Sequence, residues 1–169
     1  MHANQCFDFV IIGAGIAGAS LAYRLAGQAS VLVLERESQP GYHSTGRSAA
    51  MFMEAYGTPQ IQALTRASRA FYQRPPQGFC EHPLMEPRGC LYVASEEQLD
   101  QLQQTYDETR ARSANVRLIT AEQARALVPC LRPEAVAGAM LETAAQDLDV
   151  HALHLSLIHI SEPTRPERI

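Results

Sequence analysis

A glycine-rich turn between two short apolar runs is the feature that most restricts the fold of this chain. Residues 7–12 are β-branched and aromatic, which is typical of a buried parallel strand, and Val31–Leu34 form a second such run. Between the two runs lie the glycine-rich residues 13–18 and a helical pattern over residues 19–26 that ends at Gly27. This order predicts a parallel βαβ unit and places the chain in the α/β class.

Each glycine of the turn has a structural role that a residue with a side chain would not fill. Gly13 allows a sharp turn off the strand, Gly15 lets a phosphate group approach the backbone, and Gly18 lets the helix pack closely on the sheet. The N–H groups and the dipole at the start of the helix favour negative charge. Glu35 ends the second strand, where its carboxylate can accept hydrogen bonds from ribose hydroxyls and would repel a 2′-phosphate. The pattern predicts a dinucleotide-binding site.

A second polar segment follows Glu35 and bears on which dinucleotide is bound. Over residues 36–50 we expect a polar loop that opens into a helix of small residues, with hydroxyls from Ser44, Thr45 and Ser48 and a cation from Arg47. An extended FAD reaches two successive strand–helix junctions, whereas a nicotinamide dinucleotide needs one phosphate cradle. An ordinary capped helix start explains the same residues. The residues alone leave these alternatives open.

Several motifs together resemble the D-amino-acid oxidase-type family of FAD-dependent oxidoreductases, and within it the bacterial D-arginine dehydrogenases. The matching segments are residues 10–18, 35–36, 41–50, 55–60 and 78–84. The resemblance extends over residues 7–154. It implies a Rossmann-like FAD-binding βαβ unit with an incomplete remainder, from a two-domain flavoenzyme that oxidises the Cα–N bond of a D-amino acid or related amine. The product would be an imine and then a 2-oxo acid.

The resemblance also implies site residues, all of which bind the cofactor except one. The cofactor-binding residues would be Gly13, Gly15, Ala17 and Gly18 at the pyrophosphate, Glu35 and Arg36 along the adenosine, and Ser44, Thr45, Gly46, Arg47, Ser48, Ala49, Ala50 and Met51 beside the flavin. Tyr56 would border the substrate pocket. Packing is the alternative role for Tyr56, because an aromatic residue at this point of a chain commonly packs.

Two positions depart from the D-arginine enzymes. Met51 stands where those enzymes have a histidine beside the flavin, and Cys90 aligns with a glutamate that faces the cationic tail of the substrate. A cationic side chain left unpaired at a desolvated site costs several kcal/mol. Glu86 lies close by in sequence and could replace the missing carboxylate. A neutral or apolar amino acid, or a secondary amine, is therefore at least as plausible a substrate as D-arginine.

Composition excludes several partners. The net charge of −4 and pI near 5.8 argue against nucleic acid or an anionic membrane as a partner. The resemblance implies a small-molecule amino acid or amine as the substrate. No apolar stretch is long enough for a transmembrane helix.

The four cysteines form no zinc or dithiol pattern, so we expect reduced thiols, a cytoplasmic location and no metal. His151 and His154 share a predicted helix face, which we interpret as plain helix surface. The pattern specifies no oligomeric state.

The end of the chain does not match the segments before it. Residues 155–165 resemble the in-frame translation of a transposon-based sequencing adapter. We therefore expect residues 1–154 to be the N-terminal part of a discontinuous FAD-binding domain and residues 155–169 to be an artefactual tail. The C-terminal half of the same polypeptide would then be missing, and this chain alone would be inactive. An NAD-dependent dehydrogenase and a non-catalytic nucleotide-binding remnant are the alternative functions.

Elsewhere, hydrophobic periodicity and capping residues predict alternating helices and strands. The predicted helices cover residues 59–73, 95–113 and 120–128, with a further helix from Val150, and the predicted strands cover residues 91–94, 116–119 and 136–141.

Overall fold

The computed structural model describes residues 6–161, which divide into two compact units. The first unit comprises the chain up to Ala50, Gln73–Leu84 and the chain from Asp149, and the second comprises Met51–Tyr72 and Met85–Leu148. In chain order the helices and strands are β1 (Phe9–Ile12), α1 (Ile16–Leu25), β2 (Val31–Leu34), β3 (Met51–Phe52), α2 (Pro59–Gln73), β4 (Met85–Pro87), β5 (Cys90–Ala94), α3 (Leu99–Arg110), β6 (Val116–Thr120), α4 (Ala121–Leu127), β7 (Gly138–Glu142), β8 (Gln146–Leu148) and α5 (Val150–Ser161).

The first unit contains the predicted parallel βαβ arrangement. β1 and β2 pair in parallel, with Phe9 opposite Val31 and Ile12 opposite Leu34. α1 connects them and begins three residues earlier than predicted, because the extended backbone of Gly15 serves as its N-cap. It ends before Gly27, whose φ of +81° is a conformation that glycine adopts readily. The α/β fold class and the Rossmann-like unit are confirmed.

The prediction that the first strand is buried is wrong. Ile11 is buried, but Val10 is 56% exposed and Ile12 is 88% exposed. Within residues 6–161 the sheet has two strands, and α1 packs against them from one side. The side chains that alternate to the other face therefore remain uncovered.

α5 packs against α1 and buries Leu153 and Leu157. The helix predicted from Val150 is confirmed, and it continues to Ser161, past the proposed boundary at residue 154. Residues 162–169 lie outside the described part of the chain. The artefactual origin of residues 155–169 stays a prediction, which resequencing of the source DNA across codon 154 tests.

The second unit contains two antiparallel sheets. One has the strand order β5–β7–β6, and the other has the order β3–β8–β4, with short strands that the sequence did not predict. The first of these sheets is covered by α3 and α4, and buried Ala124, Val136 and Ala139 form its core. α3 is shorter than the predicted helix because a 3₁₀ turn, Glu96–Gln98, precedes it.

α2 and α4 begin where the sequence predicted. Pro59 is the first residue of α2, and Thr120 caps α4 by accepting a hydrogen bond from the N–H of Gln123. No helix in residues 6–161 is both long enough and apolar enough to cross a membrane.

Candidate cofactor-binding site

The turn between β1 and α1 is held by side chains from distant parts of the chain. The N–H of Ala14 donates to Oε2 of Glu35 at 2.8 Å, and the N–H of Ile16 donates to Oγ1 of Thr45 at 3.0 Å. The carbonyl oxygen of Ala14 lies 2.7 Å from Nε2 of His154. Neither the acid nor the histidine was predicted to contact the backbone of the turn.

The glycines of the turn occupy positions that a larger residue would disturb. A Cβ atom on Gly18 would lie 1.9 Å from the carbonyl oxygen of Gly13, and one on Gly15 would lie 3.2 Å from Oγ1 of Thr45. Gly13 has a φ of +96°. A Cβ atom at Gly15 would therefore crowd the Thr45 hydroxyl, so the close approach of Thr45 to the turn favours glycine there.

The start of α1 offers N–H groups to a ligand. In an α-helix the first N–H groups have no carbonyl partner within the helix. Thr45 takes that of Ile16, which leaves those of Ala17 and Gly18. Ala17 is exposed. This helix end fits an anionic group such as a pyrophosphate.

Glu35 binds backbone in this structure. Oε1 accepts from the N–H groups of Arg36 and Glu37 at 2.8 and 3.0 Å, and Oε2 accepts from Ala14. The backbone N–H groups of Glu37 and then Ala14 hold the pKa of the Glu35 carboxyl below its usual value. Its predicted contact with ribose stays a prediction, and holding the glycine turn is a role that the sequence analysis missed.

The lowered pKa of Glu35 gives a pH prediction. A carboxyl with a lower pKa in the folded state stabilises the fold above its unfolded pKa, and this stabilisation is lost as the pH falls through the folded value. Glu35→Gln should therefore lower the melting temperature at pH 7 and flatten its decline below about pH 4.5. Thermal melts from pH 3 to 7 measure this, with exposed Glu81→Gln as the matched control. Parallel declines for wild type and Glu35→Gln would contradict the prediction.

The segment that follows β2 folds as turns, so the helix start predicted within residues 36–50 is wrong. The N–H of Gly46 donates to the carbonyl of Gly41 at 2.8 Å, and Ala50 has a φ of +54°. A Cβ atom on Gly46 would lie 2.8 Å from that same carbonyl oxygen, so the turn needs glycine there.

The polar side chains of this segment have identified contacts. Besides Thr45 at the glycine turn, Ser48 Oγ accepts from the N–H of Ala50 at 3.2 Å, and the Arg47 guanidinium lies over the ring of Tyr42 at 5.4 Å. Arg36 pairs with Glu37 at 2.8 Å. Thr45 thus connects the polar segment after β2 to the glycine turn between β1 and α1.

Met51 and Tyr56 lie in the second unit, on the wall of a cavity of about 300 Å³. Tyr56 is 62% exposed, so it does not pack in the core. The other lining residues are mostly apolar: Phe52, Met53, Ile61, Leu64, Thr65, Ser68, Tyr72 and Leu148. The wall as described carries no charged side chain.

A larger cavity of about 630 Å³ in the same unit is lined by Met51, Cys90 and several apolar residues. Its charged lining residue is Arg88, which donates to Asp147 at 2.6 Å. Burial raises the pKa of the Cys90 thiol, so the thiol is neutral at pH 7 and supplies no negative charge. Glu86 is not among the lining residues, so it does not replace the missing carboxylate there.

A buried acid in the second unit was missed by the sequence analysis. Glu142 is fully buried, and its Oε1 accepts from the N–H groups of Glu54 and Ala55 at 2.6 and 3.0 Å. Its Oε2 accepts from the hydroxyl of Tyr92 at 3.1 Å. Burial, with the charge of Glu142, raises the pKa of Tyr92 well above its ordinary value. The backbone directly before Tyr56 is thus fixed by a carboxylate from β7.

The buried acid Glu54 extends this network. Its Oε1 accepts from Nε of Arg69 at 2.7 Å, and the guanidinium of Arg69 lies over the ring of Phe52 at 4.9 Å. The charges of Glu54 and Arg69 therefore compensate each other inside the second unit.

A parallel βαβ unit with a glycine-rich turn and an acid at the end of its second strand is typical of dinucleotide-binding proteins of the α/β class. Residues 8–160 match the family described as DAO, FAD dependent oxidoreductase. The chain belongs to this family, whose cofactor is FAD.

Curated relatives share about a third of the aligned residues. L-2-hydroxyglutarate dehydrogenase of Escherichia coli O17:K52:H18 (strain UMN026 / ExPEC) is 30% identical over 133 residues, which are 73% of this chain and 30% of that protein. FAD-dependent oxidoreductase domain-containing protein 1 of Mus musculus is 31% identical over 143 residues, which are 77% of this chain and 29% of that protein. The chain spans about 30% of the length of these relatives.

Solved structures share the fold. Glycine oxidase from Geobacillus kaustophilus aligns with a TM-score of 0.76 and 23% identity over 92% of this chain and 44% of that chain. L-proline dehydrogenase from P. horikoshii aligns with a TM-score of 0.77 and 19% identity over 95% of this chain and 42% of that chain. None of the four proteins named here is a D-arginine dehydrogenase, so the narrower resemblance stays a prediction.

Proposed function

We propose that this chain supplies the adenosine–pyrophosphate-binding part of an FAD-dependent oxidoreductase. The observation that carries the proposal is the start of α1, because the N–H groups of Ala17 and Gly18 have no partner within the helix and Ala17 is exposed. Gly13, Gly15, Ala17 and Gly18 would hold the pyrophosphate.

The other predicted cofactor-binding residues, apart from Met51, lie in the same unit as the glycine turn. Glu35 and Arg36 would lie along the adenosine. Residues 44–50 and Met51 would lie beside the flavin. Tyr56 would border the substrate, which its exposure and its place on a cavity wall support. The family match favours FAD over the nicotinamide alternative.

Bound FAD supplies an acceptor for a hydride from a carbon that bears an amino or hydroxyl group. We propose a D-amino acid or related amine as the donor, on the resemblance given above. A small 2-hydroxy acid is the second candidate, because the relative at 30% identity is named for L-2-hydroxyglutarate. For an amine that enters neutral, the residues of this chain would orient the substrate and exclude water, and the reaction needs no pair of acid and base residues from them. A 2-hydroxy acid would also need a base to take its hydroxyl proton.

The side chain of the substrate is restricted by the two cavities. Their described walls hold no carboxylate, and the Cys90 thiol is neutral. A cationic tail would be desolvated there without a partner, which disfavours D-arginine and D-lysine. The guanidinium of Arg88 is already paired with Asp147, so the walls favour a neutral group.

The cofactor role is tested with ADP, which carries the adenosine and pyrophosphate of FAD. Ala17→Glu should abolish ADP binding, because the new carboxylate stands at the helix start that would receive the pyrophosphate. It should leave stability unchanged or slightly higher, since an acid is favourable in the first turn of a helix. Isothermal titration of the purified chain measures the affinity and urea unfolding measures the stability.

Gln60→Glu is the matched control, because it makes an acidic substitution in the first turn of α2. It should bind ADP like the wild-type chain. Failure of the wild-type chain to bind ADP, or equal affinity for Ala17→Glu, would overturn the proposed cofactor role.

A further inference from the structure

His154 contacts the part of the chain that the proposed cofactor role depends on. Its side chain is 5% exposed, so the interpretation of this residue as helix surface is wrong. Nε2 lies 2.7 Å from the carbonyl oxygen of Ala14, the residue between the first two glycines of the turn. A carbonyl oxygen only accepts hydrogen bonds, so the ring nitrogen must carry the proton and donate.

This hydrogen bond fixes the direction of one peptide group. In a planar trans peptide the C=O of one residue and the N–H of the next point in opposite directions. Because the carbonyl of Ala14 points toward His154 on α5, the N–H of Gly15 points away from it. Gly15 is the residue at which a pyrophosphate would approach the backbone.

The preceding peptide group is fixed in the same way. The N–H of Ala14 points to Glu35, so the carbonyl of Gly13 points away from that carboxylate, toward Gly18. Both peptide groups that flank Ala14 are therefore held by side chains, one by an acid after β2 and one by a histidine on α5.

Gly41 restricts the histidine ring. A Cβ atom at this position would lie 2.7 Å from Cε1 and 2.9 Å from Nδ1 of His154. The ring thus packs directly against the Gly41 backbone, whose φ is +74°. A buried ring with a neighbour this close has little freedom to turn away from Ala14.

We propose that His154 is a positioning residue for cofactor binding: it holds the Ala14–Gly15 peptide group so that the N–H of Gly15 faces the pyrophosphate. The proposal rests on the proposed function, since it assigns a use to the same glycine turn. His154 itself does not touch the cofactor.

The hydrogen bond is tested first without any ligand. Nitrogen-15 NMR of the histidine rings should show the proton of His154 on Nε2, and His154→Leu should shift the carbonyl carbon signal of Ala14 and the amide signal of Gly15 relative to wild type. An Nε2 without a proton, or unchanged signals of the Ala14–Gly15 peptide group, would overturn the proposal. These measurements decide the anchoring even if the chain fails to bind ADP, which would overturn the proposed function by itself.

The effect on binding is tested with ADP and three variants. His154→Leu removes the donor and should weaken ADP binding about tenfold, whereas His154→Gln keeps an N–H donor and should stay within about threefold of wild type. The matched control is His151→Leu, an exposed histidine of the same helix, which should bind like wild type.

Leu153→Ala separates positioning from stability. Leu153 is buried on α5 and makes no hydrogen bond to the turn through its side chain, so its truncation should lower stability and leave ADP affinity within about threefold. Equal weakening in His154→Leu and Leu153→Ala would show that the histidine acts through packing and would overturn the proposal, as would equal affinities for His154→Leu and wild type.

Discussion

Replacing Gly18 with alanine is expected to lower the free energy of unfolding by about 3 kcal/mol and to abolish ADP binding. The new Cβ would lie 1.9 Å from the carbonyl oxygen of Gly13 and 3.2 Å from Cγ2 of Ile11. The first neighbour is backbone within the glycine turn and cannot move without displacing it. Alanine is favoured over glycine in a helix by about 1 kcal/mol, which offsets only part of this cost.

Gly27→Ala is the matched control for this prediction. Gly27 has a φ of +81°, and a Cβ there would meet no atom within 4 Å. Gly27→Ala should therefore lower the free energy of unfolding by about 1 kcal/mol, through backbone conformation alone. Its ADP affinity should equal that of wild type. Urea unfolding and titration with ADP measure both effects. Should Gly18→Ala be as stable as Gly27→Ala, close packing of α1 on the turn would not be the reason for glycine at position 18.

The βαβ unit could be predicted from the sequence because its signals are local. The glycines, the two apolar runs and Glu35 follow one another along the chain, and β2 covers the predicted residues 31–34. The contacts that hold the turn could not be predicted in the same way. His154 lies 140 residues from Ala14, and no periodicity of α5 distinguishes a buried histidine from an exposed one.

The errors in the fold have similar causes. β3, β4 and β8 have two or three residues each, too few for an alternating pattern to be recognised. The exposure of Ile12 depends on how many strands the sheet has, which the run of residues itself does not specify. Ser, Thr and Gly in residues 44–48 suit a turn as well as a helix start, and tertiary contacts with the glycine turn favoured the turn.

The candidate site in the second unit was predicted least well. Tyr56 was identified through the resemblance, but the groups that hold the backbone before it were not. Glu142 is the last residue of β7 and comes directly after an apolar run, a pattern that predicts an exposed polar residue at the end of a strand. A buried carboxylate is rare, so pattern alone assigns it to the surface.

Glu142→Ala is expected to lower the free energy of unfolding by about 4 kcal/mol. The substitution removes the acceptor of the N–H groups of buried Glu54 and half-buried Ala55. It also leaves the hydroxyl of Tyr92 with the weaker acceptor Sδ of Met53. Each unsatisfied buried donor costs about 1–3 kcal/mol. The backbone before Tyr56 should also loosen, which amide hydrogen exchange at Glu54 and Ala55 detects.

Glu142→Gln provides the sharper comparison because it changes the charge and keeps the shape. The amide oxygen can accept from the two backbone N–H groups as Oε1 does now, and the amide NH₂ can donate to the Tyr92 hydroxyl oxygen, which reverses one hydrogen bond. The free energy of unfolding of Glu142→Gln should be lower than that of wild type by only about 1 kcal/mol, and amide hydrogen exchange at Glu54 and Ala55 should stay slow. If it lost as much stability as Glu142→Ala, the negative charge itself would stabilise this segment, and hydrogen bonding alone would not explain why the acid is buried beside the candidate substrate wall.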